Sequence, residues 1–600
     1  MNRRSMRTLI VCLLGAALFA HEGMTADACS SEATLQNLNQ QTQLLFKGQS
    51  ASAKAAAQPI NEIDDQVFAK WKELDIPTNG ICDDATFLRR ASLILTGRIP
   101  DPNLTRSFLT STNPNKRDDL IDSLMKSEAF ETHWAFWFQE MFQVSGRILR
   151  GGRDIYDAYF KQVVQEDKPM DQMAYEILTT LGQSDLVPQP NFYVRANDTV
   201  RVVQDFYDNA AIHAAQKFLG LQIECISCHD GAYHLENINL FLADKKREDL
   251  WAMAAYFSEL QRRPATRSDN LILSLLIAKQ RGGSQGYLAE SDTGDRPARE
   301  GGLITPRYLL DDSKPATGAP FLETFAEKII GDRQFARNFA NRFWAHCFGM
   351  GMVEPIDAMD PLRIDANLSL PEGWDYQSSD LALLEFMTDL FIQSNYQFKP
   401  FLRKIVSSAT FQMDSQFNAE WDPAWTPYYA RYMAKRLSAE SVYDSLVVGT
   451  GVATQLANTG STRDAAITRV FYAHELLDTD QPRGGDQTVT SFLDTFGRGN
   501  RYDIPRSPEG SIAQALLMMN SGVVNSRLLA PISRISGYLQ QRQSAETIVD
   551  NLYLDLLVRM PTAEEKATLL EAVSSFSTTQ DQAAAAVWLL VNKLEFLFVY

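Results

Sequence analysis

The chain has 600 residues, of which 45% are hydrophobic and 22% are charged. These values are ordinary for globular proteins and exclude a mostly disordered, collagenous or mucin-like chain. The formal net charge is -17, which repels the phosphate backbone of nucleic acids, so we expect no nucleic-acid partner. At about 100–200 residues per domain, this length predicts more than one domain.

The N-terminus has the layout of a secretory signal peptide. Three arginines precede an apolar stretch over residues 9–20, and a small-x-small cleavage site stands at residues 26–28. The apolar stretch is shorter than the ~18 residues that a membrane-spanning helix needs. We therefore predict that residues 1–28 are removed, which leaves a periplasmic or extracellular protein without a transmembrane segment. Cys29 follows the cleavage site, so a lipoprotein is the alternative, although the residues before it fit a lipid-attachment motif poorly.

The remaining chain divides into four segments by composition. Residues 29–62 are rich in Gln, Ala and Ser, which predicts a flexible leader or a weak helix. Apolar residues recur at helical spacing over residues 63–262 and again over residues 321–600. The segment between them, residues 263–320, is rich in Gly and Pro and contains short β-like runs. The predicted fold is mainly α, with two helical domains joined by an irregular, Gly/Pro-rich segment with minor β.

Two local patterns within the first helical segment are well defined. Asp83 and Asp84 are expected to begin a helix that Gly97 ends. Trp134 and Phe138 are four residues apart in an aromatic-rich stretch. Such a stripe at helical spacing is typical of a buried core rather than of a cofactor wall, so we expect these rings to be buried.

The most informative pattern is Cys225-Ile-Ser-Cys228-His229. Cys-x-x-Cys-His is the attachment signature of c-type haem. Two thiols three residues apart lie on one side of a short helical turn, where each can add to one vinyl group, while the adjacent imidazole reaches the iron. The predicted compartment agrees, because c-type haem is attached after export. The sequence therefore predicts covalent haem c on Cys225 and Cys228, with His229 as the proximal iron ligand and His234 as a further cofactor-binding residue.

Other interpretations of the same residues remain open. The two cysteines could form a tight structural disulfide or a thiol redox site. Cys225, Cys228, His229 and His234 could instead hold zinc, because they place four ligand-type residues within ten positions. The sequence does not choose a sixth ligand for a haem iron. The candidates are His213, His234, Met253, His346, Met350 and Met352.

A further polar cluster lies in a Gly-rich stretch late in the chain. Its members are Asp494, Arg498, Arg501, Asp503 and Arg506. Paired arginines and carboxylates can bind an anionic or sugar ligand. The alternative is a set of salt bridges that stabilises the loop itself.

Several stretches resemble one known family. Residues 218–230, Phe-Leu-Gly-Leu-Gln-Ile-Glu-Cys-Ile-Ser-Cys-His-Asp, are similar to the core of the planctomycete cytochrome-C-like secreted proteins. Other stretches resemble the same family in the same order, namely residues 88–100, 337–355, 435–440, 492–498 and 594–598. The resemblance implies an exported helical protein with an N-terminal cytochrome-like domain and the family's C-terminal domain.

The resemblance supplies no substrate, because both modules of the family are domains of unknown function. The chain also departs from the family pattern. The family often has His-Asp-His-Pro after the cysteine pair, whereas here Gly231 follows Asp230 and the second histidine is His234. That displacement puts a metal or haem role of the second histidine in doubt.

These observations lead to one hypothesis and two alternatives. The leading hypothesis is an exported c-type-haem-like protein that transfers electrons with a periplasmic redox partner. The first alternative is a non-redox binding or scaffold protein of the cell surface, for a glycan or protein ligand, in which the cysteine pair is structural. The second is a metal-dependent enzyme that uses Cys225, Cys228, His229 and His234. The sequence does not decide whether the protein is an enzyme.

Overall fold

The computed structural model describes most of the chain with several gaps. The described residues are 26–47, 54–148, 151–194, 202–268, 271–280, 286–460, 467–482, 487–502, 504–528 and 530–600. The positive and apolar parts of the predicted signal peptide therefore lie outside the described residues, and so does Asp503. Within the described ranges, no helix combines the length and apolar character that crossing a bilayer requires.

The part of the chain before the strands is helical. Its helices are α1 (Ala26–Leu45), α2 (Glu62–Glu73), α3 (Asp84–Thr96), α4 (Pro102–Thr110), α5 (Lys116–Met125), α6 (Glu128–Met141), α7 (Gly152–Gln165), α8 (Met170–Thr179), α9 (Asn191–Val194), α10 (Val203–Ala214), α11 (Leu240–Ala243) and α12 (Arg247–Ala254). Shorter turns are a π-turn at Ala215–Leu219 and 3-10 turns at Ile223–Ser227 and Ala255–Phe257.

The strands form small antiparallel sheets. In chain order they are β1 (Gly182–Gln183), β2 (Leu260–Ser268), β3 (Leu271–Lys279), β4 (Tyr287–Ser291), β5 (Arg299–Ile304), β6 (Lys435–Arg436), β7 (Leu456–Thr459), β8 (Ile467–Val470) and β9 (Phe598–Val599). The order β1-β3-β2 makes one sheet, and β4–β5, β6–β9 and β7–β8 are pairs. In the largest sheet Arg262 lies opposite Ile277 in the register. The expected minor β thus occupies much of the Gly/Pro-rich segment.

The second half returns to helices. They are α13 (Phe321–Gly331), α14 (Arg333–Phe348), α15 (Leu381–Gln393), α16 (Phe398–Ser407), α17 (Ala409–Gln412), α18 (Ala439–Thr450), α19 (Gln487–Thr495), α20 (Ile512–Asn520), α21 (Gly522–Leu528), α22 (Arg534–Gln540), α23 (Ala545–Leu556), α24 (Ala563–Val573), α25 (Thr579–Val591) and α26 (Leu594–Leu597). Further 3-10 turns lie at Pro423–Tyr428 and Ala473–Glu475. The prediction of a mainly α fold with minor β is confirmed; the division into domains stays a prediction.

The residues at the two ends of α3 begin and end the helix as the sequence predicts. The Asp83 carboxylate accepts a hydrogen bond from the Thr86 backbone amide, which satisfies one of the unpaired donors at the helix start. Gly97 ends the helix in the left-handed conformation, at φ 69°. A side chain there would also collide with neighbours, because an added Cβ would lie 2.5 Å from His133 Nδ1. The position therefore needs glycine for both its dihedral angle and its packing.

Burial follows the apolar periodicity. Trp134 and Phe138 on α6 are fully buried, which confirms the expectation for the aromatic stripe. One cluster of buried apolar side chains includes residues from both helical halves of the chain. The segment expected as a flexible leader or a weak helix forms α1, and its Asn39 amide donates to Thr426 Oγ1 at 2.7 Å.

Two adjacent arginines of α3 connect the N-terminal half to residues far along the chain. Arg89 is 1% exposed and Arg90 is fully buried. Arg89 Nη2 donates to the carbonyl oxygens of Glu595, Phe596 and Phe598, at 2.8, 2.9 and 3.1 Å. Because these carbonyls would otherwise lack partners in the interior, the guanidinium satisfies them at the cost of its own desolvation.

Arg90 makes a parallel set of contacts. Its guanidinium donates to the carbonyl oxygens of Phe411 and Met413, and its Nε donates to Tyr600 O at 2.9 Å. Its Cζ also lies 3.8 Å from the centre of the Tyr432 ring, a cation–π geometry. We refer to Arg89 and Arg90 with these carbonyls as the arginine clamp.

We predict that Arg90→Met lowers the free energy of unfolding by about 3 kcal/mol or more, because three buried carbonyls lose their donor. Urea unfolding followed by circular dichroism measures the change. Arg98→Met is the control, because Arg98 is only half-buried and stacks on Tyr472 near the surface. An equal loss of stability in the two variants would contradict the clamp's special role.

Candidate functional site

The Cys-x-x-Cys-His motif lies on a 3-10 turn, Ile223–Ser227, that ends at Cys228. Side chains three residues apart nearly eclipse one another in this geometry. Ile223 and Ile226 are fully buried, so they fix the turn on the core. Cys225 and Cys228 are also three residues apart, so they share another side of the turn, and both are exposed. The turn therefore presents its two sulfurs to solvent on the same side.

Both thiols are free in the structure. Partial burial, the Glu224 carboxylate and the neighbouring Cys228 together raise the pKa of the Cys225 thiol. A raised pKa keeps this thiol protonated at neutral pH, whereas reactive redox cysteines have a lowered one. The two sulfurs are not bonded to each other in this structure, and the raised pKa of Cys225 is the opposite of what an activated redox thiol has.

Arg247 holds the motif turn in place from outside. Its Nε donates to Ser227 O at 3.3 Å, and its terminal nitrogens donate to Pro297 O and Ala298 O at 2.9 and 3.2 Å. Its backbone amide donates to the Asp230 carboxylate at 2.9 Å. The turn is therefore tied both to the start of α12 and to the chain that leads into β5.

The histidine of the motif has a defined tautomer. His229 Nδ1 lies 2.8 Å from the Asp230 carbonyl oxygen. A carbonyl only accepts, so this contact places the proton on Nδ1 and leaves the lone pair of Nε2 available. Metal-binding histidines are commonly oriented in this way. The ring of His234 lies beside it, with centroids 4.3 Å apart.

These donors fit a covalently attached haem in part. Cys225 and Cys228 offer two free thiols on one side of a turn, and His229 offers Nε2. The ring of His234 lies against that of His229, with centroids 4.3 Å apart, so the two imidazoles do not face each other across a space that a metal ion could occupy.

The same residues do not form a ready zinc site. Within the part of the chain that the structure describes, no three or more His, Cys, Asp or Glu side chains are arranged to hold a metal ion. The other sixth-ligand candidates lie mostly in the interior. The buried methionine candidates are Met253, Met350 and Met352. His346 belongs to a separate cluster.

That cluster brings together three histidines from distant segments. His133 on α6, His346 on α14 and His474 in the turn Ala473–Glu475 are in mutual contact through His133. His133 Nε2 lies 3.4 Å from His346 Nε2, and the rings of His133 and His474 are 5.0 Å apart. His133 Nδ1 is buried without a hydrogen-bond partner. We call these residues the imidazole cluster.

Asp444 on α18 fixes one end of the imidazole cluster. Its carboxylate accepts from His474 Nδ1 at 2.7 Å and from the backbone amides of Ala473 and His474. This contact assigns the His474 proton to Nδ1. The carboxylate therefore positions the whole turn that carries His474.

Two of the imidazoles, those of His133 and His346, have lowered pKa values. Burial, with the nearby histidines and Lys435, lowers the pKa of His133 well below its usual range. Burial and the Lys435 ammonium lower the pKa of His346 to about 3. Burial also lowers the pKa of Lys435 to about 8. Its ammonium donates to the carbonyl oxygens of His346 and Cys347.

A buried charge network adjoins the imidazole cluster across the Phe136 ring. Arg501 and Arg506 both pair with Glu140, and Arg506 also pairs with Glu440 at 2.7 Å. The positive charge of Arg506 lowers the pKa of Glu440 to about 2, although burial of the carboxylate acts in the other direction. The ring of Phe136 lies under both guanidiniums and against His474.

The Gly-rich cluster late in the chain is a salt-bridge set rather than an open anion site. Arg498 pairs with Asp494 at 2.7 Å and donates to Gln481 O at 2.7 Å. Arg501 and Arg506 are bound to carboxylates of other elements, as described above. Asp503 lies outside the described residues.

Sequence reasoning singled out His346 as a candidate iron ligand but did not predict the imidazole cluster. His133 and His346 are 213 residues apart, and no spacing in the sequence connects them. Asp444, Glu140 and Glu440 look like ordinary charges on amphipathic helices. For the adjoining charge network, the only signal in the sequence would have been the pair Arg501 and Arg506, because arginines that become buried need carboxylate partners.

We predict that stability falls as the pH is lowered from about 6.5 toward the folded pKa values. The unfolded histidines bind protons over that range and the buried ones do not, so each contributes a slope of up to about 1.4 kcal/mol per pH unit. His346→Gln removes one such group. Urea unfolding at several pH values should show a shallower pH dependence for this variant than for the native chain. His234→Gln, an exposed imidazole, serves as the control and should leave the slope unchanged.

We also predict that Gly231→Ala disrupts the motif loop. Its backbone amide donates to Lys245 O at 2.7 Å, and an added Cβ would overlap the Leu242 carbonyl oxygen. The expected cost is about 1–3 kcal/mol, measured by urea unfolding. Ala232→Ser, at an exposed neighbouring position, should be neutral. Equal stability of the two variants would refute the close approach at Gly231.

Comparison with known proteins gives two family matches. Residues 62–262 match the model PSCyt2, described as a protein of unknown function (DUF1549). Residues 324–573 match the model PSD1, also described as a protein of unknown function (DUF1553). No curated protein and no solved structure matches the chain. The chain therefore matches, in order, two models of proteins of unknown function, over residues 62–262 and 324–573.

Proposed function

We propose that the protein is an exported c-type haem protein that takes part in electron transfer. The single observation that carries this proposal is the motif turn. It places two free thiols on one exposed side, directly before a histidine whose Nε2 lone pair is available. The alternative uses of the same residues, as a disulfide or as a zinc site, have less support in this geometry.

Each motif residue has a defined role in the proposal. Cys225 and Cys228 would hold the haem through thioether bonds, each formed when a thiol adds across a vinyl group and its proton passes to the other vinyl carbon. His229 would bind the iron through Nε2, while the Asp230 carbonyl oxygen accepts its Nδ1 proton. When bound, the haem iron supplies one-electron exchange between its ferrous and ferric states.

The proposed location is the periplasm or the extracellular space. The three arginines, the apolar stretch and the small-x-small site support export. Attachment of c-type haem after export is consistent with that location. Lipid attachment at Cys29 is the variant of this proposal that would tether the protein to a membrane.

One observation favours a second candidate, a non-redox binding protein for a surface glycan. A cleft of about 490 Å³ lies between α6, α7 and the β7–β8 hairpin. Its walls include Glu131, Asn458 and Glu475 over the apolar Val470 and Leu477. Hydrogen-bonding side chains over an apolar floor suit a hydroxyl-rich ligand of that size. A glycan-binding screen with the purified protein tests this candidate.

We predict a covalent haem band in the pyridine haemochrome spectrum when the full chain is expressed with a cytochrome c maturation system. Cys225→Ser/Cys228→Ser should abolish the band, because both thioether bonds lose their sulfur. His229→Gln should change the spectrum of any attached haem or prevent attachment. His234→Gln is the matched control, since its ring lies against that of His229 and does not face it across an open space.

The outcome is decisive in either direction. No band in exported native protein that is folded by circular dichroism would overturn the haem proposal. A band that persists in the double serine variant would show that haem is held elsewhere and would refute the assigned cysteines.

A further inference from the structure

The exposed side of the motif turn has an uneven charge. Residues 222–238 contain three carboxylates and neither lysine nor arginine. All three carboxylates, on Glu224, Asp230 and Glu236, are exposed. We call the exposed side chains of residues 222–238, which include Cys225 and Cys228, the motif face.

The arginines next to the motif face do not neutralise it. The Arg247 guanidinium donates to three backbone carbonyls. Arg299 is buried and paired with Asp205 and Asp208 at 2.6 and 2.5 Å. Arg296 is also buried, and it donates to Asn209 Oδ1. These guanidiniums are therefore bound to buried side chains or to backbone carbonyls.

The remaining charges around the motif face are mixed. Asp292 and Asp295, on the loop before β5, are exposed. Lys246 is exposed as well, whereas the Lys245 ammonium lies 4.8 Å from the centre of the Phe241 ring. The exposed carboxylates outnumber the exposed cations in this region, which agrees with the overall charge of -17. A positively charged surface would be attracted to it.

The motif face also carries an unusual aromatic. Tyr233 is 91% exposed, and its backbone has φ 66°, a region that a bulky side chain seldom adopts. Hydrogen bonds from Gly231 to Lys245 O and from His234 to Gly231 O hold the loop on either side. The loop therefore keeps an apolar ring in solvent next to His229 and His234. Tyrosine is among the residues that most often anchor protein interfaces.

We propose that the motif face docks a partner protein through a basic patch on that partner, with Tyr233 as the central anchor. The inference rests on the proposed function, since it identifies the partner as a redox protein whose own redox centre lies within the basic patch. The fixed turn lowers the ordering cost of binding. The carboxylates accelerate the encounter, and Tyr233 slows dissociation.

The experiment measures association of the full-length exported chain with two probes by biolayer interferometry. One probe is a mono-haem cytochrome of net positive charge, and the other is a mono-haem cytochrome of net negative charge. The positive probe should bind, and its association rate should fall between about 0.02 and 0.15 M salt as the screening length shortens. The negative probe should not bind.

Two variants and a control separate a specific face from general charge. Glu224→Lys/Glu236→Lys should slow association with the positive probe roughly tenfold. Tyr233→Ala should raise the dissociation rate roughly tenfold with little change in association. Glu564→Lys/Glu571→Lys, which makes the same charge change on exposed positions of α24, should leave both rates within about twofold of native.

The haemochrome spectrum of each preparation distinguishes the two proposals. The docking face is overturned if the motif-face and α24 variants slow association equally, or if the negative probe binds as well as the positive one. In that case an intact haem band still supports the proposed function. Charge-dependent docking by a chain without haem supports the docking face but overturns its redox partner and the proposed function together.

Discussion

The arginine clamp is the interaction on which the rest of the structure depends. Two guanidiniums from one turn of α3 lie in the interior and donate to main-chain oxygens far along the chain, among them those of Phe596, Met413 and Tyr600. A lysine could not replace either one, because its single ammonium lacks the planar fork that reaches several carbonyls. The clamp joins α3 to β9 and to the chain after α17. It thereby ties together segments that are far apart in the sequence, and α3 in turn positions Gly97 against the imidazole cluster.

The two chemically rich regions of the molecule have opposite character. The motif turn is exposed, its thiols are free and its histidine has an available nitrogen, so it is suited to attach a group from outside and to meet a partner. The imidazole cluster is closed, the pKa values of His133 and His346 are lowered and Asp444 is bonded to His474, so the cluster behaves as a polar element of the core. Polar cores of this kind hold distant segments in one arrangement when every member is satisfied. His133 Nδ1 is the exception, since it is buried without a partner.

The sequence predicted those features that depend on neighbouring residues. Apolar spacing indicated the helices, Asp83 and Gly97 marked the ends of α3, and the motif spacing indicated a short turn with both cysteines on one side. The features that it did not predict depend on contacts across the chain. Nothing near Arg89 shows that its partners are carbonyls more than 500 residues away. Nothing near His133 indicates His346 or His474. Composition leaves residues 29–62 as a flexible leader or a weak helix, because α1 is stabilised by tertiary contacts such as that of Asn39 with Thr426, which propensity alone does not indicate.

The separation of the clamp partners has a consequence for how the protein is made. Arg89 and its acceptors are about 506 residues apart, so α3 cannot complete its interior hydrogen bonds until residues 595–600 have left the ribosome. Contacts of such long range form late and slowly. A chain with this topology stays incompletely folded until its last residues are made. The same delay leaves apolar helices uncovered for most of the synthesis, so the unfinished chain is prone to aggregation unless holding factors cover these helices.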